Sequence, residues 1–177
     1  MRIKKEDGSY YLPHEFLHVA KHSKLYSKLS MSLIQKAFET FQISSSGFSI
    51  NLSYLDMTNI VTTTFIIEKL EEFNVGPWVI FEILESDGIE NYDAVSKFIE
   101  KVKSYGAKIA IDDFGTDYSS LRYIKDLPAS RLKIAMNFIQ GIGVEPDGLL
   151  NKDEALTKAI IVLAKRLGIK VIAEGVE

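Results

Sequence analysis

Lys108–Leu121 reads KIAIDDFGTDYSSL, and the fold turns on this stretch. The apolar run Ile109–Ile111 stops at two adjacent carboxylates, Asp112 and Asp113. A glycine-containing loop follows, then a helix start at Ser119–Ser120. This pattern predicts a buried parallel strand whose C-terminal end carries a charged site. Two neighbouring acids repel each other unless a cation or a shared proton holds them. Taken alone, the stretch is equally compatible with an Asp-rich turn or a helix cap. What separates the two readings is that other strands of the chain end the same way.

Upstream, Phe48–Leu52 reads as a strand leading into Asn51, Ser53 and Asp56, and Val79–Leu84 as an apolar strand interrupted by Glu82, with Glu85 three residues later. Helices lie between them: Ile60–Phe73, capped by Thr58 or Asn59, and Tyr92–Tyr105, capped by Asn91 and closed by Gly106. Downstream come a short helical piece at Ser119–Lys125 and the strand Arg131–Met136 carrying Lys133. A loose connection follows at Gly141–Asn151. The helix Asp153–Leu167, with Leu156, Ala159, Ile160 and Leu163 on its core stripe, leads to a last strand, Lys170–Ala173. Strands alternating with helices force parallel neighbours in a helix-wrapped sheet. An open doubly wound sheet and a barrel both fit. The glycine fingerprints of nucleotide-binding doubly wound folds are missing, and polar groups at many strand ends favour the barrel. The expected class is α/β, an incomplete (β/α)8 TIM-barrel-like variant with about five βα units over residues 1–177.

The N-terminal part holds two helices, Pro13 to about His22 and Ser30–Phe41. The first contains HEFLH, His14–His18, a literal match to a zinc-protease pattern. At about 100° per residue, His14, His18 and His22 share one stripe, opposite Leu12, Phe16, Val19 and Ala20. The apolar side should bury and the histidines face water, so a solvated face is preferred to a zinc site.

Composition narrows the function. Net charge is −3, which gives no electrostatic case for DNA as a partner. The absence of cysteine excludes disulfides, thiolate metal sites and a Cys nucleophile, and is compatible with the cytoplasm. No apolar run has the length of a membrane span. The strand-end groups Asn51, Glu82, Asp112, Asp113, Lys133 and Glu174 are all oxygen donors except Lys133. Such a set suits Mg²⁺, Mn²⁺ or Ca²⁺, and two metals sharing a carboxylate form a clamp for attack at phosphorus. Lysine beside it can orient a water or neutralise phosphate charge.

The segments NLS (Asn51–Ser53), FEILE (Phe81–Glu85), IDDFGTDYSSL (Ile111–Leu121), LKI (Leu132–Ile134) and AEGVE (Ala173–Glu177) occur in that order. Together they resemble the EAL family of cyclic di-GMP phosphodiesterases, and Pro13–Ala20 resembles that family's P-x-x-F-I-x-x-A segment. The resemblance implies a barrel variant that hydrolyses cyclic di-GMP to linear pGpG in bacterial signal transduction. It implies a two-metal site using Mg²⁺ or Mn²⁺, with Ca²⁺ inhibitory. Asn51, Glu82 and Asp112 correspond to ligands of one ion, Asp112 bridges to a second, and Asp113 stands beside it. Lys133 and Glu174 correspond to the groups that hold and polarise the attacking water. Glu85 corresponds to the acid that steadies the loop Phe114–Ser120, which the family links to substrate response and dimerisation. Arg2 corresponds to a substrate-binding arginine. A homodimer, and an upstream sensor or GGDEF domain in a longer protein, are further arrangements it implies.

Three departures stand against this pattern. The signature Glu-Ala-Leu strand is missing, and Met1-Arg2 resembles what directly follows it. The chain stops at EGVE, before the family's last strand. LKID reads LKIA, with Ala135 in place of an acid, and Asp117 replaces a glycine. These leave two readings: a phosphodiesterase domain seen as a partial copy, or a non-catalytic module that binds cyclic di-GMP or a protein partner. A barrel acting on another phosphoester is a third, since fold does not fix function.

Overall fold

The computed structural model describes residues 2–23, 25–44, 46–87, 89–116, 124–143 and 151–176. The chain begins with an antiparallel ribbon, β1 (Ile3–Lys4) and β2 (Tyr10–Tyr11). Helix α1 (Pro13–Lys21) follows, with Pro13 in its first turn and the Glu15 carboxylate accepting from the Leu12 N–H at 2.6 Å. Helix α2 (Tyr26–Phe41) buries Ser30, Ile34 and Phe38, one residue per turn.

The main sheet starts at β3 (Phe48–Leu52), where Phe48, Ile50 and Leu52 are buried and Ser49 and Asn51 exposed. Period-two alternation thus gives the strand one core face and one open face. A short helix, α3 (Tyr54–Thr58), is capped by Ser53, and α4 (Ile60–Phe73) by Asn59, whose side chain accepts from the N–H groups of Val61 and Thr62. Next come β4 (Val79–Leu84), a 3₁₀ turn at Glu85–Asp87, and α5 (Tyr92–Ser104) with Asn91 as its cap. They lead to β5 (Lys108–Phe114), β6 (Arg131–Ile134), α6 (Met136–Gln140), α7 (Lys152–Arg166) and β7 (Lys170–Ala173).

The five strands β3-β4-β5-β6-β7 pair in sequence order, all parallel, with β3 and β7 at the edges. The architecture is α/β, an incomplete barrel. Its core joins one sheet face to the helices: Phe81, Ile83, Ile109, Leu132 and Ile134 pack with Ile34, Phe38, Ile66, Leu70, Val95 and Ile99. Burial of that apolar area is the main stabilising term.

Several elements differ from the pattern reading. Helix α2 begins a turn earlier than Ser30. The strand expected over Arg131–Met136 ends at Ile134, because the Phe138 N–H turns back to the Ala135 carbonyl at 3.1 Å and starts α6. Helix α7 buries Thr157 and Ala164, while Ala159 is exposed and Leu156 is 50% exposed. Ile160 and Leu163 pack on the core as expected, so the buried face is shifted only by the width of one residue, from Leu156 to Thr157. Helix α1 has no fully buried residue and Val19 is 69% exposed. His14, His18 and His22 are exposed, as their stripe requires. Most of the helical piece expected at Ser119–Lys125, and Asp117 with it, lies outside the described residues, of which 124–126 are helical. No helix among the described residues is long and apolar enough to cross a membrane.

Candidate metal and active site

The site is built on an irregularity in the sheet. Ala110 pairs with Arg131 and Ile111 with Leu132, but the next partner of Ile134 is Phe114. Two residues of β5, Asp112 and Asp113, therefore stand against the single Lys133 of β6. This is a β-bulge, which disrupts the ladder locally and re-aims side chains. Asp113 takes the left-handed conformation, φ +53°, which aspartate tolerates better than most residues. The turn is pinned locally. Asp112 Oδ1 accepts from the Asp113 N–H at 3.1 Å, and Thr116 Oγ1 donates to the Asp113 carbonyl at 2.9 Å. Adjacent residues of a regular strand point to opposite faces. Here the extra residue lets both carboxylates reach one spot. Beyond Asp113 the buried ring of Phe114 returns the chain to the core.

Glu174 arrives from β7, its N–H donating to the Ile134 carbonyl at 3.3 Å. One carboxylate oxygen each from Asp112, Asp113 and Glu174 lie within 4.8 Å of one another. Lys133 stands against them. Its Nζ is 2.7 Å from Asp112 Oδ1, 2.7 Å from Glu174 Oε1 and 3.4 Å from Glu82 Oε2. Burial alone would push the Lys133 ammonium toward its neutral form. The hydrogen bonds to Asp112 and Glu174, with the charges of Asp112 and Glu82, outweigh it and hold the group above the ordinary lysine range. Lys133 is thus a fixed cation and hydrogen-bond donor at neutral pH. The carboxyl of Asp113 is pushed up from its ordinary value, first by desolvation, then by the negative charges of Asp112 and Glu174, with Lys133 opposing. A divalent cation relieves this kind of crowding, and an all-oxygen donor set suits Mg²⁺, Mn²⁺ or Ca²⁺.

The other sequence candidates are placed as follows. Glu82 lies on β4 beside Asn51 of β3 in register, and it reaches Lys133 rather than the three-carboxylate group. Asn51 is exposed on the open face. Buried Glu85 accepts from the Gly115 N–H at 2.7 Å, so it grips the backbone just past the acid pair. Arg2 is exposed and precedes the β1–β2 ribbon, which does not join the five-stranded sheet. Ala135 occupies the position that caps α6, buried and with no side-chain hydrogen bond.

Sequence reasoning missed three contributors. The bulge is one. Phe138 is another: Gly115 has φ +103°, and a Cβ there would lie 2.8 Å from the Phe138 ring. The third is Asp87, which holds both Lys21 and the N–H of Tyr54. The last two contacts join positions far apart in sequence and leave no local signal.

The model of the EAL domain family matches residues 1–177. The chain belongs to the EAL family. It is 33% identical over 183 residues to signaling protein YkoW of Bacillus subtilis, covering 100% of the chain and 22% of YkoW. It is 33% identical over 172 residues to the bifunctional diguanylate cyclase/cyclic di-GMP phosphodiesterase MucR of Pseudomonas aeruginosa, covering 93% of the chain and 24% of MucR. The chain thus spans about a quarter of the length of these curated relatives. Among solved structures, the PaMucR phosphodiesterase in complex with c-di-GMP superposes with a TM-score of 0.83. It shares 32% identity, over 95% of this chain and 74% of that one. This EAL domain therefore has its acid pair, Lys133 and Glu174 on a fold shared with a cyclic di-GMP complex.

Proposed function

We propose that this EAL domain is a metal-dependent phosphodiesterase that opens cyclic di-GMP to linear pGpG. The observation that carries the reading is Lys133 Nζ at 2.7 Å from both Asp112 and Glu174, against a three-carboxylate group. The donor set fits a hard divalent cation, Mg²⁺ or Mn²⁺. Asp112, Asp113 and Glu174 would hold it, with Glu82 and Asn51 on the neighbouring strands completing a two-ion site. When bound, the cation supplies positive charge against the phosphate and makes a water more acidic.

The chain's own groups do the rest. Glu174, oriented by Lys133, accepts a hydrogen bond from the attacking water and then its proton. The Lys133 ammonium donates to the water or to a phosphate oxygen, offsetting charge as it builds in the transition state. The water oxygen bonds to phosphorus and the P–O3′ bond breaks. The 3′ oxygen takes up the proton that Glu174 accepted, passed on through solvent, leaving a 5′-phosphate and a 3′-hydroxyl. Glu85 keeps the backbone after Asp113 in place by holding the Gly115 N–H, and Arg2 would contact the nucleotide. The reading includes a domain over residues 1–177 that works in the cytoplasm, as a homodimer or downstream of a sensor or GGDEF domain.

Ala135 favours a second reading, a cyclic di-GMP receptor without turnover. It places a methyl group where the family pattern has a carboxylate, two positions after Lys133 at the turn from β6 into α6. Calorimetric titration of cyclic di-GMP with Ca²⁺, then turnover with Mg²⁺ or Mn²⁺, separates the two. Release of pGpG that is abolished by Asp112→Ala supports the enzyme. Binding without release supports the receptor, and no binding by folded protein overturns both.

A further inference from the structure

Glu85 and Asp87 belong to one 3₁₀ turn at the end of β4. At 3.0 residues per turn, side chains two apart point about 120° away from each other. One turn can therefore grip two different parts of the molecule, and it does. Glu85 holds the Gly115 N–H at 2.7 Å. Asp87 Oδ1 accepts from Lys21 Nζ, the last residue of α1, at 2.9 Å. Asp87 Oδ2 accepts from the N–H of Tyr54, the first residue of α3, at 3.2 Å. The Asp87 side chain is 13% exposed, so these bonds are sheltered from water. On its other side, Gly115 is backed by the Phe138 ring. The backbone after the acid pair is thus clamped between a ring and a carboxylate, and that carboxylate's own turn is anchored to α1 and α3.

We propose that Asp87, together with Lys21, is a positioning residue. It fixes the Glu85–Asp87 turn and, through Glu85, the backbone at Gly115 that shapes the Asp112–Asp113 bulge. Asp87 touches none of the groups assigned to the cation or the phosphate. The function assigned to the anchor rests on the reading of that bulge as a metal site, but the mechanical link can be measured with neither metal nor nucleotide present.

The test is amide hydrogen exchange of Gly115, followed by NMR in the whole chain in EDTA. Glu85→Met, which removes the acceptor, serves as the direct control. Asp87→Ala and Lys21→Met are both expected to speed Gly115 exchange about tenfold or more, the size of a lost hydrogen bond to a charged group. Asp87→Asn, which keeps an acceptor for Tyr54, should fall between them and the parent. If Asp87 only caps α3, exchange rises at Tyr54 and along α3 while Gly115 stays as in the parent, and the proposal is overturned. Unchanged Gly115 exchange in Glu85→Met overturns it too, because the last link would be missing. Should Asp87→Ala not fold, Lys21→Met at the helix surface decides. A chain that shows the exchange effect but no turnover would sink the enzyme reading and leave the anchor standing.

Discussion

Replacing Lys133 by methionine keeps the length and apolar stem of the side chain and removes its charge. In the parent, Nζ makes contacts of 2.7, 2.7 and 3.4 Å to Asp112, Glu174 and Glu82. A hydrogen bond to a charged group is worth roughly 1.5–3 kcal/mol when sheltered, and exposed ion pairs about 0–1 kcal/mol. With 15% of the lysine side chain exposed, the two short bonds belong nearer the first figure. Without the ammonium, the oxygens of Asp112, Asp113 and Glu174, within 4.8 Å of one another, repel by about 3 kcal/mol per charged pair at an effective dielectric of 20. Protonation of one acid relieves part of that. The expected net loss is about 2–3 kcal/mol in EDTA at neutral pH. That shifts a urea midpoint by about 1 M, given a slope of roughly 1–3 kcal/mol per M. The sign with pH follows from the raised folded value of Lys133. Its stabilisation is complete below the ordinary lysine value of 10.5 and is lost as pH rises through the folded value. The gap between parent and Lys133→Met should therefore close only in strong alkali. Calcium supplies the missing positive charge, so its stabilisation must be larger in the variant; a site filled to 100 times its Kd contributes about 2.7 kcal/mol. Equal urea midpoints in EDTA, or equal calcium shifts in the two proteins, would refute the reasoning.

Three further substitutions probe the same turn. Asp113→Asn keeps a residue that tolerates the left-handed backbone while removing a carboxyl whose folded value is raised. Its ionisation costs stability above the ordinary 3.8. The variant should melt higher than the parent at pH 7 in EDTA, with the difference shrinking toward pH 4 and reversing in Ca²⁺; a difference constant across that range counts against the carboxylate crowding. Gly115→Ala combines φ +103° with a Cβ 2.8 Å from the Phe138 ring and should cost about 2 kcal/mol. Trimming the ring in Gly115→Ala/Phe138→Leu should recover part of it, as read by urea denaturation. Ala135→Asp offers α6 a capping carboxylate, at φ −57° and ψ 142°, but buries a fourth acid, so it should lower the urea midpoint in EDTA and regain it in Mn²⁺. Calorimetry should also show tighter Mn²⁺ binding, and an unchanged affinity would remove Ala135 from the site.

Much of the fold was legible because it follows from local rules. The alternating strands Phe48–Leu52 and Val79–Leu84 and the caps Asn59 and Asn91 announce themselves in a few residues. Helix α7 was legible almost to its ends and in Ile160 and Leu163, which pack on the core, but Thr157 and Ala164 are its buried residues rather than Leu156 and Ala159. Val19 belongs to an apolar stripe as its spacing says, yet nothing among the described residues packs over it enough to bury it. Strict period-two alternation puts Asp112 on one face of the strand and would turn Asp113 to the other. Only the pairing of β5 with β6 reveals the extra residue that brings the two together. Glu85 came from the family pattern alone, and its partner Gly115 lies thirty positions away. No periodicity points across that distance.

Ala135 is where the two functional readings part, and geometry says what is at stake. The residue sits at the end of β6, two positions after Lys133, where the strand turns into α6. An aspartate there would add a fourth acid beside three that already crowd one another. On the two-ion reading, the alanine lowers that charge and weakens attraction for a second cation while leaving Lys133, Asp112 and Glu174 in contact. Loss of one ligand should therefore act on ion affinity more than on the water-orienting pair. Raising Mn²⁺ separates the cases. If turnover by the parent climbs with metal until it meets that of Ala135→Asp, the chain is an enzyme with a weakened ion site. If saturating Mn²⁺ gives no turnover in the parent while Ala135→Asp hydrolyses cyclic di-GMP, the missing carboxylate has made this copy a receptor.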